Sequence, residues 1–286
     1  MQFLAPMTVD EALGALSERE DGLRVLAGGT DVMIQRMTGQ LPRSESLLYI
    51  GGITDLSGVH LSDGTICIGA LTTHHDLRCN PVIGTDLPSF AEAAATVGGW
   101  QTQAVGTIGG NLCNASPAAD LAPPLLAADA TLVVSGEDGP QRIPANRFFL
   151  GRRRTALPVG QILLKIEVPV PPAATWESYL KVGRRSAMEV ALVGLAARFS
   201  LAGGLVETAR LAVCSVAPVP LRLAHAEAAL VGSTLDQGAV AIAAQRSMEE
   251  IDPIDDQRAT ASYRRMLVGR LLGKAARLAR EGLEIQ

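Results

Sequence analysis

Two short glycine-containing segments of the 286-residue sequence carry residues that could bind an anion. They are residues 27–31, Ala-Gly-Gly-Thr-Asp, and residues 107–111, Thr-Ile-Gly-Gly-Asn. Glycine has no Cβ, so several backbone N–H groups can converge on one negatively charged ligand. A helix that begins at such a segment adds a partial positive charge. The pyrophosphate bridge of a dinucleotide suits this chemistry, with Thr30, Thr107 and Asn111 as additional side-chain donors.

Neither segment matches the familiar nucleotide-binding patterns. The lysine of a Walker A motif and the spacing of GxGxxG are both absent, which disfavours P-loop and Rossmann folds. Glycine pairs are also typical of ordinary turns. The second segment is the more informative one, because residues 107–120 carry little charge yet contain the small polar residues Asn111, Asn114 and Ser116.

The elements around the first segment can be predicted from hydrophobic periodicity. Thr8 and Glu11 form a capping box that predicts a helix ending near residues 21–22. Residues 23–27 are typical of a short buried strand. A helix over residues 32–37 follows, with Thr30 or Asp31 as its N-cap. The first glycine segment is therefore predicted to join a strand to a helix.

The rest of the chain alternates short strands and helices. Strands are predicted at 47–50, 65–69, 130–135 and 162–168, a helix at 89–97, and a proline-broken apolar stretch at 121–128. The proline-rich residues 169–174 predict a linker. Three strands of a meander (176–181, 190–201, 205–216) and three helices (224–230, 239–248, 259–280) are expected after it. The fold class is α+β, in two domains over residues 1–172 and 173–286.

Composition excludes several classes of protein. The net charge of −4 gives no electrostatic footprint for nucleic acid, and no apolar run is long enough for a membrane span. The four cysteines are scattered without a CxxC pair, which argues against disulfides, zinc or an iron–sulfur cluster in this chain. No signal-peptide pattern opens the sequence. A soluble, cytoplasmic protein is expected, without a metal site of its own.

Three further segments extend the glycine pattern in a fixed order: residues 114–120 (Asn-Ala-Ser-Pro-Ala-Ala-Asp), 162–169 and 179–191. Together with the glycine segments they resemble the FAD-binding (medium) subunits of the molybdenum hydroxylase family, such as those of aerobic carbon monoxide dehydrogenase and xanthine dehydrogenase. The resemblance implies a PCMH-type FAD-binding domain of two α+β lobes. A smaller domain with a three-stranded antiparallel sheet and a helical bundle, like the carbon monoxide dehydrogenase flavoprotein C-terminal domain, would follow it.

The resemblance also assigns site residues, with FAD bound non-covalently between the lobes. The diphosphate would be wrapped by two sets of residues: Leu26, Ala27, Gly28, Gly29, Thr30, Asp31 and Val32, and Thr107, Ile108, Gly109, Gly110 and Asn111. Asp120 would accept hydrogen bonds from the ribityl hydroxyls, Leu163 would contact the isoalloxazine ring, and Lys181 would lie near its carbonyl edge. Two positions depart from the family pattern: Glu189 replaces an aspartate, and Val97 replaces a phenylalanine that packs on the ring.

The function implied is electron transfer with partners. A large molybdopterin subunit would hydroxylate a substrate, and a small 2Fe-2S subunit would pass the electrons to this FAD and on to an external acceptor. The family pattern implies a dimer of heterotrimers, and no catalytic residue is assigned in this chain. Two alternatives are a self-contained PCMH-type flavin oxidase or reductase, and a cofactor-free scaffold that kept the fold.

Three other features suggest ordinary structural roles. His74 and His75 are interpreted as solvated residues at a helix start. Met33 and Met37, at helical spacing, are interpreted as core residues. The consecutive arginines 152–154 are interpreted as a solvated positive turn, with a phosphate or partner contact as the alternative.

Overall fold

The N-terminal part of the chain is a small parallel sheet with two helices. The computed structural model describes residues 2–18, 23–42, 45–136 and 138–283. Its first elements are β1 (Phe3–Leu4), α1 (Val9–Ser17), β2 (Leu23–Leu26), α2 (Val32–Met37) and β3 (Ser46–Tyr49), with strand order β1-β3-β2. The predicted capping box is present, since the Glu11 amide donates to Thr8 Oγ1 at 3.2 Å. Helix α1 stops at Ser17, and its predicted end at residues 21–22 lies outside the described residues.

A five-stranded antiparallel sheet forms the second layer. Its strands are β4 (Val59–Ser62), β5 (Thr65–Gly69), β6 (Thr131–Gly136), β7 (Gly139–Pro144) and β10 (Ile162–Pro169), in the order β4-β5-β10-β6-β7. A 3₁₀ turn at Thr54–Leu56 precedes β4. Helix α9 (Ala145–Phe148) and a hairpin of β8 (Phe149–Gly151) and β9 (Arg154–Thr155) connect β7 to β10. Strands β5 and β6 are buried along nearly their whole length, whereas β4 and β7, at the two edges of the sheet, are largely exposed.

Six short helices connect β5 to β6 and carry the second glycine segment. They are α3 (His74–Cys79), α4 (Pro81–Asp86), α5 (Pro88–Thr96), α6 (Trp100–Val105), α7 (Ile108–Cys113) and α8 (Ala122–Ala127). The apolar stretch at 121–128 was expected to be broken by its prolines, and this expectation is wrong. Pro123 and Pro124 lie in the first turn of α8, where a helix needs no N–H donor.

The C-terminal part is an antiparallel sheet covered by helices. Strands β11 (Thr175–Val182), β12 (Val193–Ala202) and β13 (Leu205–Cys214) form the predicted meander, and the two-residue strand β14 (Leu221–Arg222) extends it. Helices α10 (Ala224–Leu230), α11 (Gln237–Glu249) and α12 (Ala261–Gly282) follow. Helix α12 packs its buried face, including Val268, Leu272 and Ala276, on this sheet.

The C-terminal sheet is joined to the helical connection by buried polar contacts. Glu177 on β11 accepts hydrogen bonds from the amide and hydroxyl of Ser89, at the start of α5, at 3.1 and 2.7 Å. Its other carboxylate oxygen accepts from Arg198 on β12. Glu92, also on α5, accepts from the Tyr179 amide and the Ser178 hydroxyl. Helix α5 is therefore fixed in position against β11.

Within the described ranges, none of the helices combines the length and the apolar character needed to cross a membrane. The same residues contain no group of three or more His, Cys, Asp or Glu side chains arranged to hold a metal ion.

Candidate functional site

The two glycine segments lie against each other. Gly28 packs on the backbone at the end of α6: a Cβ at this position would overlap the Val105 carbonyl oxygen and lie 3.0 Å from Gly106 Cα. Gly29 has a φ of +73°, which glycine adopts without strain. Only glycine at position 28 lets the strand–turn–helix segment approach the chain that leads into α7. The sequence-predicted anion-binding segments are thus neighbours in space.

The second segment is the first turn of a helix, and its amides already have acceptors inside the protein. The Ile108 amide donates to the Thr72 carbonyl at 3.0 Å, and the Gly109 amide donates to the Ala70 carbonyl at 2.8 Å. The Gly110 amide donates to Thr107 Oγ1, which caps α7, at 3.0 Å. A Cβ at Gly109 would lie 2.6 Å from the Ala70 carbonyl oxygen. Gly109 is therefore explained by close backbone packing.

The first segment has its backbone donors available. Among the described residues, no carbonyl or side chain accepts a hydrogen bond from the amides of residues 28–32, which lead into α2. Nearby in the second segment, the buried Oδ1 atom of Asn111 has no hydrogen-bonding partner in the described part of the chain. Leu26 is buried at the end of β2, whereas residues 27–30 and Val32 are half-buried. A row of free donors beside an unpaired acceptor fits a ligand that carries both phosphate and hydroxyl groups.

Asp31 does not cap α2, although the sequence made it a candidate N-cap. Its side chain makes no capping hydrogen bond. Instead Asp31 Oδ2 accepts from Asn114 Nδ2 at 2.8 Å, and Arg153 Nη2 lies 3.9 Å from Asp31 Oδ1. Arg153 also donates to Asn114 Oδ1. Asp31 therefore links the first segment to the C-terminal end of α7, and Thr30 makes no side-chain cap either.

Asp120, Tyr179 and Lys181 form a buried polar cluster on the other side of α7. Lys181 Nζ donates to Asp120 Oδ2 at 2.9 Å and to the Thr96 carbonyl at 2.9 Å. The Tyr179 hydroxyl donates to Asp120 Oδ1 at 2.7 Å. Burial raises the pKa of Asp120 above its ordinary value, and the Lys181 charge and the Tyr179 hydrogen bond oppose this rise. Burial also raises the pKa of Tyr179.

Tyr179 contacts Asp120 but was not among the predicted site residues, although the sequence holds a signal for it. Tyr179 and Lys181 are two residues apart on β11, so their side chains leave the same face of the strand. The Tyr179 amide is held by Glu92 at 2.6 Å, which fixes β11 against α5. Tyr179 and Lys181 thus provide one donor to each carboxylate oxygen of Asp120.

Leu163 and Val97 are the two positions that the family resemblance places against the isoalloxazine ring. Leu163 lies on β10 beside a register shift between residues 163 and 165, and it is 4% exposed. Val97 ends α5, next to the Thr96 carbonyl that accepts from Lys181, and is half-buried. Glu189, the other departure from the family pattern, forms ion pairs with both Arg184 and Arg185. The glutamate at this position therefore bridges the two arginines of its own loop.

Two ordinary interpretations from the sequence are wrong. His74 is not solvated: it is 3% exposed, its Nδ1 atom has no partner among the described residues, and burial lowers its pKa to about 4. It packs behind the second segment, where a Cβ at Gly106 would lie 3.1 Å from His74 Cδ2. Met33 and Met37 are 45% and 80% exposed, because α2 contributes no buried residue.

Comparison with known proteins identifies the family. Residues 1–171 match the family described as the FAD binding domain in molybdopterin dehydrogenase. The chain belongs to this family. Residues 178–279 match the CO dehydrogenase flavoprotein C-terminal domain. The resemblance seen in the sequence is confirmed, as are the α+β fold, the oxidoreductase class and FAD as the cofactor.

Relatives and solved structures agree over nearly the whole chain. The carbon monoxide dehydrogenase medium chain of Hydrogenophaga pseudoflava is 31% identical over 278 residues, which is 97% of this chain and 96% of that protein. A putative xanthine dehydrogenase FAD-binding subunit of Escherichia coli is 31% identical over 91% of this chain and 89% of its own length. The structure of the Hydrogenophaga pseudoflava carbon monoxide dehydrogenase matches with a TM-score of 0.93 at 33% identity, covering 98% of this chain and 96% of that chain. Quinoline 2-oxidoreductase from Pseudomonas putida 86 matches with a TM-score of 0.92 at 25% identity, covering 99% and 98%.

Proposed function

We propose that this protein is the FAD-carrying electron-transfer subunit of a molybdenum hydroxylase complex. In this proposal it accepts electrons from the 2Fe-2S centres of a small partner subunit. A large molybdopterin subunit supplies those electrons by oxidising a substrate. FAD, when bound, supplies a group that can accept electrons one at a time and deliver them in pairs to an external acceptor. The hydroxylated substrate is selected outside this chain.

One observation supports FAD binding by these residues more than any other. The free amides of residues 28–32 lie beside the second glycine segment, where the buried Asn111 Oδ1 has no partner in the described residues. In this proposal the amides and Thr30 bind the diphosphate, and Asn111 accepts from a hydroxyl of the same molecule. Residues 107–110 then shape the wall of the site through close packing and leave amide donation to the first segment.

The buried cluster would hold the other half of the cofactor. The ribityl hydroxyls would donate hydrogen bonds to Asp120, either in place of its present donors or in addition to them. A hydrogen bond to a carboxylate is worth about 1.5–3 kcal/mol. Leu163 supplies an aliphatic surface for the ring. Lys181 places a cation near the ring, where positive charge stabilises reduced flavin. Tyr179 positions Asp120.

The quaternary arrangement is also proposed. Relatives carry names such as medium chain and FAD-binding subunit, which describe members of larger complexes. By analogy, we expect a large molybdopterin subunit and a small 2Fe-2S subunit, assembled as a dimer of heterotrimers. The cytoplasmic location and the domain boundary between residues 172 and 173 also remain predictions.

Co-purification tests the proposal directly. The full chain is purified with whatever polypeptides accompany it, and flavin, molybdenum, iron and acid-labile sulfide are measured per chain. We expect one FAD per chain, released by denaturation without a covalent bond. Molybdenum should accompany a large partner polypeptide, and iron with acid-labile sulfide should accompany a small one. FAD without molybdenum or iron would favour the self-contained flavoenzyme, and absence of flavin would favour the cofactor-free scaffold.

Removal of the flavin tests the direction of electron flow. In a complex stripped of FAD, we expect added substrate still to reduce the iron–sulfur centres, as seen in their absorbance. Electron delivery to the external acceptor should be lost and should return when FAD is added back. Unchanged delivery without flavin would contradict the proposal.

A further inference from the structure

The hairpin between β8 and β9 places an arginine in a backbone conformation that usually requires glycine. Arg153 has a φ of +56°, and Ala115, whose carbonyl accepts from the Arg153 amide at 2.9 Å, has a φ of +45°. Left-handed conformations at non-glycine residues cost free energy and concentrate where function constrains the chain. Glycine would adopt this turn without strain, so an arginine here indicates that its side chain has a role of its own.

That side chain completes a closed set of contacts between the first glycine segment and the end of α7. Its guanidinium donates to Asn114 Oδ1 through Nη1, and Nη2 lies 3.9 Å from Asp31 Oδ1. Asn114 Nδ2 in turn donates to Asp31 Oδ2 at 2.8 Å. Asp31 stands at the start of α2 and Asn114 at the end of α7. The three side chains thus connect the row of free amides to the helix that carries Asn111.

The charge of Asp31 makes this arrangement relevant to an anionic ligand. Its carboxylate belongs to the segment whose amides would bind the diphosphate, so an unpaired negative charge there would repel the cofactor. The Arg153 guanidinium lies beside this carboxylate, and Asn114 donates to its second oxygen.

We propose that Arg153 is a positioning residue for FAD: it neutralises Asp31 and holds the first glycine segment in register with α7. This inference rests on the proposed function. The side chains of Arg153 and Asp31 are 48% and 51% exposed, so their ion pair contributes little to the stability of the folded chain. The contribution of Arg153 is expected in ligand binding and not in folding.

Arg153→Gly separates these two roles, because it removes the side chain and relieves the left-handed conformation. The dissociation constant for FAD is measured on the full chain, or on its complex after removal of FAD, by flavin fluorescence. The melting temperature is measured without FAD. We expect the dissociation constant to rise about tenfold. The melting temperature without FAD should stay within about 2 °C of the wild type.

Two further variants make the test specific. Arg152→Gly removes the same charge from the same turn and should change neither quantity. Adding Asp31→Asn to Arg153→Gly removes the repelling carboxylate and should recover part of the lost affinity, which a loss of structural support would not allow.

The outcomes are distinguishable. The inference is overturned if Arg153→Gly binds FAD with the affinity of the wild type. It is also overturned if Arg153→Gly loses enough stability without FAD to account for the weaker binding. A double variant with Asp31→Asn that recovers no affinity would overturn it as well. Failure of the wild-type protein itself to bind FAD would instead overturn the proposed function.

Discussion

Lys181 Nζ lies 2.9 Å from Asp120 Oδ2, and the side chains of both residues are about nine-tenths buried. Asp120 follows α7 and Lys181 lies on β11, so this ion pair joins two segments that are 61 residues apart in the sequence, at the edge of the proposed flavin site. Burial raises the pKa of Asp120, and the positive charge of Lys181 opposes this rise.

Replacement of Lys181 by methionine tests its electrostatic role. Removing the cation that opposes the raised pKa of Asp120 should raise that pKa further. In the FAD-loaded protein the two-electron reduction potential should become more negative, by about 30 mV for each 1.4 kcal/mol of lost stabilisation of reduced flavin. A spectroscopic redox titration measures the potential. Lys274→Met, an exposed position on α12, is the matched control and should leave the potential unchanged. An unchanged potential in Lys181→Met would remove Lys181 from the ring environment.

Alanine is expected to have opposite effects on stability at Gly109, in the second segment, and at Gly84, in α4. A Cβ at Gly109 would lie 2.6 Å from the Ala70 carbonyl oxygen, to which the Gly109 amide is hydrogen-bonded, so backbone must move. Gly109→Ala should lower the free energy of unfolding by about 1–3 kcal/mol. Gly84→Ala is the control, since Gly84 lies in α4 with open space around it. It should raise the free energy of unfolding by up to about 1 kcal/mol. Denaturant titration of both variants decides; equal effects would contradict the packing explanation.

Much of the fold could be predicted because the periodic signals were local. Strand β5 and helix α10 have the predicted bounds, and β10 agrees within one residue. The six short helices between β5 and β6 were mostly missed. Glycines, prolines and a histidine pair fill this region, and its helices are held by tertiary contacts, which propensity does not report.

The site was predictable in outline and not in its hydrogen bonds. The spacing of glycines identified segments that do meet, but it could not show that the Ile108 and Gly109 amides already have acceptors on the chain before α3. The interpretation of His74 failed for a related reason, because its burial depends on Gly106, a neighbour brought close by the fold. Asp31 looked like a helix cap locally, whereas its partners lie 83 residues and more away.

Glu177 is expected to be important for the attachment of α5 to the C-terminal sheet. Its carboxylate is buried and accepts from Ser89 on one oxygen and from Arg198 on the other. Glu177→Ala leaves the Arg198 charge buried without its partner, at a cost of about 3–5 kcal/mol in unfolding free energy. Ser89→Ala removes only one neutral donor and should cost about 1–2 kcal/mol. Urea unfolding of the two variants tests this order, and a smaller loss for Glu177→Ala than for Ser89→Ala would contradict it.

His74 is expected to make the protein less stable in mild acid. Its pKa is about 4 in the folded chain, against 6.5 as the ordinary value, because burial disfavours the charged ring. Between these values the unfolded chain binds more protons than the folded chain, so the free energy of unfolding falls as pH decreases from about 6.5 to about 4. The full loss is on the order of 3 kcal/mol, from 1.36 kcal/mol per pKa unit. Unfolding free energies of the wild type and His74→Gln are compared between pH 7 and pH 4, where the variant should show a flatter dependence. His225→Gln is the control, since the side chain of His225 is 79% exposed. If His74→Gln keeps the slope of the wild type across this range, the buried neutral ring is not the source of the acid sensitivity.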